Sequence, residues 1–165
     1  MFFIAGEITG QRFSGDDERR LAIESFGLCR EIFVLSYLLA FKKRFPDLDV
    51  TIIVDNEPHG DYLEKLSGNL INIESRPVTT ELVRDEALRK SIILFVDKYF
   101  LDYEIHIPHY VVVKSKDERD NFFVSDPWRG GTLLMTSVQL QEAIFGAKHI
   151  LGWAPLVIKI DKQSG

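Results

Sequence analysis

The chain of 165 residues contains a single cysteine. It can carry no internal disulfide and no multi-cysteine metal site. Basic residues are outnumbered: 20 Lys and Arg against 25 Asp and Glu leave a formal net charge of -5. The one basic run, Lys42-Lys43-Arg44, stands where a helix would end, and cations suit that end of the helix dipole. With no basic stripe to follow a phosphate backbone, nucleic acid is not an expected partner. Long apolar stretches are missing too. The longest, Ile32 to Phe41, is interrupted by Ser36 and falls short of the about 20 residues that span a bilayer. The opening Met1-Phe2-Phe3-Ile4-Ala5-Gly6-Glu7 lacks the basic and long apolar regions of a secretory signal. No membrane span is expected, and a cytoplasmic location is. There is no internal repeat and no low-complexity tract.

What is present is a globular balance, 45% hydrophobic and 27% charged, in a length suited to one domain over residues 1–165. Phe2 to Ile8 reads as a short strand. Asp16 to Phe45 reads as a long helical region, capped by Ser14, with acidic residues at its positive end and Pro46 after it. Leu21, Cys29, Phe33 and Tyr37 fall on one stripe and Leu28, Ile32, Leu35 and Leu39 on the next, a broad apolar face that suits a central helix. Gly27 offers a point at which the region splits in two. Val50 to Val54 and Ser91 to Val96 read as buried strands, with helices near Tyr62 to Leu66 and Thr79 to Lys90. The C-terminal half reads mostly as strand, with one short helix from Ser137 to Phe145 and a last strand within Ile150 to Ile160. Helices first and antiparallel strands later predict an α+β fold.

The clearest local unit is a hairpin: His109 to Lys114, the charged turn Lys116-Asp117-Glu118-Arg119-Asp120, then Phe122 to Ser125. A turn centred between Asp117 and Glu118 places His109 opposite Asp126, Val111 opposite Val124 and Val113 opposite Phe122, all on one face. His109 and Asp126 then start about 5 Å apart at Cβ, within reach of a carboxylate–imidazole contact. Such a carboxylate fixes the tautomer of the ring and leaves the other nitrogen as a base. Both residues stand at strand ends, flanked by Pro108 and Pro127. The plainer alternative is a histidine bonded to a loop and an Asp-Pro turn.

His106 lies three residues from His109, a spacing that invites a metal. Pro108 forbids a helix there, and three-apart side chains of an extended segment point to opposite faces. No metal and no cofactor is expected. Gly6-Glu7-Ile8-Thr9-Gly10 lacks the Lys-Ser/Thr ending of a phosphate loop. Asp126-Pro127-Trp128-Arg129-Gly130-Gly131 reads as a turn, and Trp128 and Trp153 as core residues.

Pro108-His109-Tyr110-Val111-Val112-Val113, followed by Phe122-Phe123-Val124-Ser125-Asp126-Pro127-Trp128, resembles the C-terminal half of the bacteriocin-processing peptidases, a branch of the papain-like cysteine peptidases. Ser91 to Val96 resembles the strand before that segment, and Thr136 to Ala143 the helix after it. The likeness covers about residues 78 to 160. It implies a papain-like α+β fold, a central helix packed on an antiparallel sheet, with His109 as the catalytic base and Asp126 as the residue that orients it. It also implies a peptide or protein as substrate or ligand. The N-terminal half departs from the family: no Cys-Gly-Pro segment is present, and no glutamine shortly before Cys29. Cys29 therefore carries two readings. It is the nucleophile of a thiol hydrolase if a helix starts at Gly27, since a helix N-terminus lowers a thiol pKa. It is a buried small hydrophobe if it belongs to the stripe of one long helix. In the second case the chain is a non-catalytic peptide- or protein-binding relative, or one without an N-terminal nucleophile segment. The sequence indicates no oligomeric state.

Overall fold

The computed structural model describes residues 1–26, 28, 32–128 and 130–163. The elements run α1 (Phe2–Thr9), α2 (Gly15–Ser25), α3 (Phe33–Arg44), β1 (Leu48–Val54), α4 (Glu57–Ser67), β2 (Asn72–Ser75), α5 (Thr80–Ala87) and β3 (Ile92–Asp97). Then come α6 (Tyr99–Asp102), β4 (Pro108–Lys116), β5 (Phe122–Asp126), β6 (Gly131–Met135), α7 (Ser137–His149) and β7 (Leu156–Lys162). The fold class is α+β, as the order of helices and strands predicts. Among the described residues no helix is long and apolar enough to cross a membrane. The chain forms two compact units. One comprises Met1–Ile52, Pro58–Glu74 and Lys159–Gly165, the other Ile53–Glu57 and Ser75–Ile158.

In the first unit, Phe2 to Ile8 is a helix and not the expected strand. A short apolar run carries no period that separates the two. Packing decides it: Phe2 is buried against the rings of Phe13, Phe41 and Phe45, with centroids 4.9, 6.1 and 5.9 Å away. Gly10 ends α1 in the left-handed conformation, at φ 73°. The region from Asp16 to Phe45 is two helices, the split that Gly27 permits; Gly27 itself lies outside the described residues. Ser14 caps α2 in a reciprocal box with Asp17, Ser14 Oγ accepting from the Asp17 N–H at 3.3 Å and Asp17 Oδ2 from the Ser14 N–H at 2.8 Å. Arg44 reaches the same Asp17 at 2.8 Å.

The second unit contains antiparallel strands in the order β7-β3-β4-β5-β6, with β7 represented there by its first residues, Leu156–Ile158. One face of the sheet is apolar. Ile92, Leu94, Val96, Val111, Val113, Phe122 and Val124 are buried there against Val83 and Leu82 of α5 and Leu140, Ala143 and Ile144 of α7. Burying a side chain of this size contributes roughly 1.5–3 kcal/mol. Both helices begin on side-chain caps. Thr79 Oγ1 accepts from the Leu82 N–H at 3.2 Å, and Thr136 Oγ1 from the Gln139 N–H at 3.1 Å.

The hairpin of β4 and β5 has its expected face but not its expected register. Val113 lies opposite Val124, not Phe122, and Val112 opposite Ser125. The turn is longer than a tight one: the Asp117 N–H donates to Asn121 O at 2.8 Å, and Asp120 takes a left-handed φ of 61°. A bulge between Val113 and Ser115 adds a further shift. Near the open end the displacement is two residues, a full side-chain period, so no side chain changes face. β6 begins at Gly131, the last residue of the stretch that reads as a turn in the sequence.

Asp117 organises the turn. Its carboxylate accepts from the backbone N–H groups of Arg119 and Asn121, each at 2.8 Å, and from Asn121 Nδ2 at 2.9 Å. The Asn121 side-chain bond, with the backbone bonds and Arg119 beside it, holds the Asp117 carboxyl below its ordinary range. A depressed folded-state pKa gives a contribution that is full above the unfolded value, about 3.9, and lost as pH falls through the folded value. Asp117→Ala is expected to lower the urea midpoint at pH 6 and to differ little from the native sequence at pH 2.5. Equal gaps at both pH values would show that the ionised turn is not what stabilises the hairpin.

Candidate functional site

His109 and Asp126 meet at the open end of the hairpin. β4 pairs there with β3, Val96 opposite His109 and Asp97 opposite Pro108. His109 thus shares the buried face with Val111 and Val113, and Asp126 shares it with Phe122 and Val124. Continuing the observed register sets Asp126 across from Val111, so His109 and Asp126 are diagonal neighbours. His109 spans the diagonal: its Nε2 lies 2.8 Å from Asp126 Oδ1. The side chains are 3% and 0% exposed.

A carboxylate is buried at tolerable cost only when hydrogen-bonded. Asp126 Oδ1 accepts a second bond, from the Trp128 backbone N–H at 2.8 Å. That bond belongs to a turn closed by the Gly130 N–H to Asp126 O, at 2.9 Å. Gly130 takes φ +66°, where an L side chain would be strained. The turn also carries the Trp128 indole over the His109 ring, with centroids 4.6 Å apart and planes at 61°. Trp128 is not a core residue, contrary to the sequence reading. It is 66% exposed, and its ring packs edge-on against that of His109. Lys98 Nζ stands 6.0 Å from the indole centroid. Excluding water lowers the local dielectric and strengthens the hydrogen bond beneath. With Asp126 ionised, His109 Nε2–H is the donor and Nδ1 is the ring's acceptor nitrogen.

A second carboxylate–imidazole pair stands beside the first, and no local pattern marks it. His106 Nδ1 lies 2.6 Å from Asp97 Oδ2, and Asp97 Oδ1 accepts from the Tyr99 N–H at 3.1 Å. The Tyr99 ring stacks on His106 at 4.2 Å and 20°. Asp97 is fully buried and the His106 side chain 40% exposed. Gly146 of α7 makes room for it: a Cβ there would lie 2.7 Å from Asp97 Oδ2. Asp97 ends an apolar strand nine positions before His106, a separation that no local periodicity marks. His106 and His109, which a metal would have to share, each hold a separate carboxylate. Among the described residues no group of three or more His, Cys, Asp or Glu is placed to hold a metal ion.

Cys29 lies outside the described residues. A cleft of about 320 Å³ in the second unit is lined by Asp55, Val78, Thr79, Phe145, Lys148 and His149 among others, and by neither pair. No family model matches the chain. No curated protein matches it.

The pair makes a prediction about stability. Asp126→Ala strands a buried imidazole N–H and the Trp128 N–H, and is expected to destabilise by about 1–3 kcal/mol in urea unfolding at pH 7. Asp126→Asn keeps an acceptor oxygen and is expected to lose less. Equal losses in the two variants would show that the hydrogen bond is not what holds this end of the sheet.

Proposed function

We propose that the chain is a papain-like, cysteine-peptidase-like protein that holds an extended peptide or protein segment without cleaving it. The state of His109 carries this reading. It is bonded through Nε2 to Asp126, 3% exposed and roofed by Trp128. A hydrolytic base must come within hydrogen-bond reach of the nucleophile's proton. An imidazole under an indole serves the scaffold in place of that proton. The antiparallel hairpin with His109 and Asp126 at its open end, and the capped helix after β6, support the likeness to the peptidase family. They are the parts of the chain that the resemblance covers.

The orientation of the ring favours a second reading, a thiol hydrolase. Asp126 engages Nε2, which leaves Nδ1 to take a proton from Cys29. The thiolate would add to an amide carbonyl, and the leaving amine would take the proton back as the C–N bond breaks. Water would then hydrolyse the thioester.

Alkylation separates the two. With iodoacetamide at pH 6 to 7, Cys29 of the native chain is expected to react no faster than in the urea-unfolded chain, and His109→Ala is expected to leave that rate unchanged. A native rate more than about tenfold above the unfolded one, abolished by His109→Ala, would reveal an activated thiolate and establish the hydrolase instead.

A further inference from the structure

The sheet of the second unit ends at β6, which among the described residues is hydrogen-bonded to β5 alone. Its pairing is regular from Phe122↔Met135 to Asp126↔Gly131, with no bulge to twist the edge aside. In an antiparallel ladder every second residue turns its N–H and C=O away from the neighbour, so β6 presents unpaired backbone groups outward. Proteins usually blunt such an edge with lysine, proline, a bulge or a covering segment. The β6 sequence, Gly-Thr-Leu-Leu-Met, contains no charge and no proline.

The flanks of this edge are apolar on both faces. On one, Leu133 and Met135 continue the buried face of Phe122 and Val124, with Met135 3% exposed. On the other, Leu134 pairs with Phe123, and the two are 55% and 38% exposed. A strand laid beside β6 would therefore meet apolar side chains above and below. Opposite Gly131 it would meet no side chain at all, which leaves space for a large residue. That end of β6 pairs with Asp126, and the turn between the two strands carries Trp128.

We propose that β6 is a docking edge for an extended, uncharged peptide segment, which adds as a further strand of the sheet. Main-chain hydrogen bonds to β6 hold it, and alternate side chains pack on Leu134 with Phe123 and on Leu133 with Met135. A second copy of the chain is the poorer occupant. Five edge residues bury far less than the about 1,200 Å² of a stable dimer interface, whereas a short strand needs no more. The occupant's class rests on the peptide-binding reading above; the edge does not.

A fluorescent probe, acetyl-Gln-Thr-Val-Ile-Val-Thr-Gln-amide, tests it, together with the same peptide N-methylated at alternate residues. The unmethylated peptide is expected to bind saturably and to slow amide exchange within Gly131–Met135. Methylation along the bonding edge is expected to weaken binding by about tenfold or more. So is Leu134→Lys, an exposed substitution that leaves the fold intact, while Leu134→Thr keeps binding. The inference is overturned by equal affinity for both peptides, by no saturation up to millimolar peptide, or by protection elsewhere than β6. Protection of β6 that appears by self-association without peptide also overturns it, in favour of a second copy. An alkylation result that shows an activated Cys29 would remove the non-catalytic reading and leave this edge untouched. Loss of β6 protection would do the reverse.

Discussion

The hydrogen bond between His109 and Asp126 sets the terms for its surroundings. A carboxylate with no exposed surface must be supplied with donors, and His109 and the Trp128 backbone supply them to one oxygen. That demand fixes the start of β4, the end of β5 and the turn after Asp126. The turn in turn places the indole that keeps water from the bond. Remove the carboxylate and the imidazole, the Trp128 N–H and the roof lose their reason for being where they are.

The second pair differs in one respect that matters chemically. Asp97 is as buried as Asp126, but the imidazole it holds is two-fifths exposed. Asp97 engages Nδ1 of His106, and Asp126 engages Nε2 of His109, so with both carboxylates ionised the rings carry their protons on opposite nitrogens. His109 is sealed within the sheet end, whereas His106 stacks on Tyr99 and is held by Asp97, for which Gly146 leaves clearance. Two histidines three apart thus do separate work.

Much of this was legible in the residues. Alternation along His109, Val111 and Val113, and along Phe122, Val124 and Asp126, identifies the shared face, and that is why the pair survives a register two residues from the simplest one. Ser14, Thr79 and Thr136 mark helix starts because a capping side chain is a local device. What local pattern leaves open is settled by distant contacts. Phe2 to Thr9 is helical because Phe2 has three aromatic partners far along the chain. Asp97 finds His106 because Gly146, forty positions on in α7, leaves it space. Trp128 reads as core by composition, yet the turn geometry turns one side outward. The unguarded edge of β6 exists only once the strand order is known.

The sealed state of His109 is the claim on which the functional account stands, and imidazole NMR measures it directly. With uniformly ¹⁵N-labelled protein near pH 7, long-range ¹H–¹⁵N correlation reports which ring nitrogen bears the proton. Exchange with water reports whether that proton is shielded. His109 is expected to be protonated at Nε2, exchanging slowly under Trp128, and His106 to be protonated at Nδ1. A His109 proton on Nδ1, or one that exchanges with water as fast as an exposed imidazole, would contradict it.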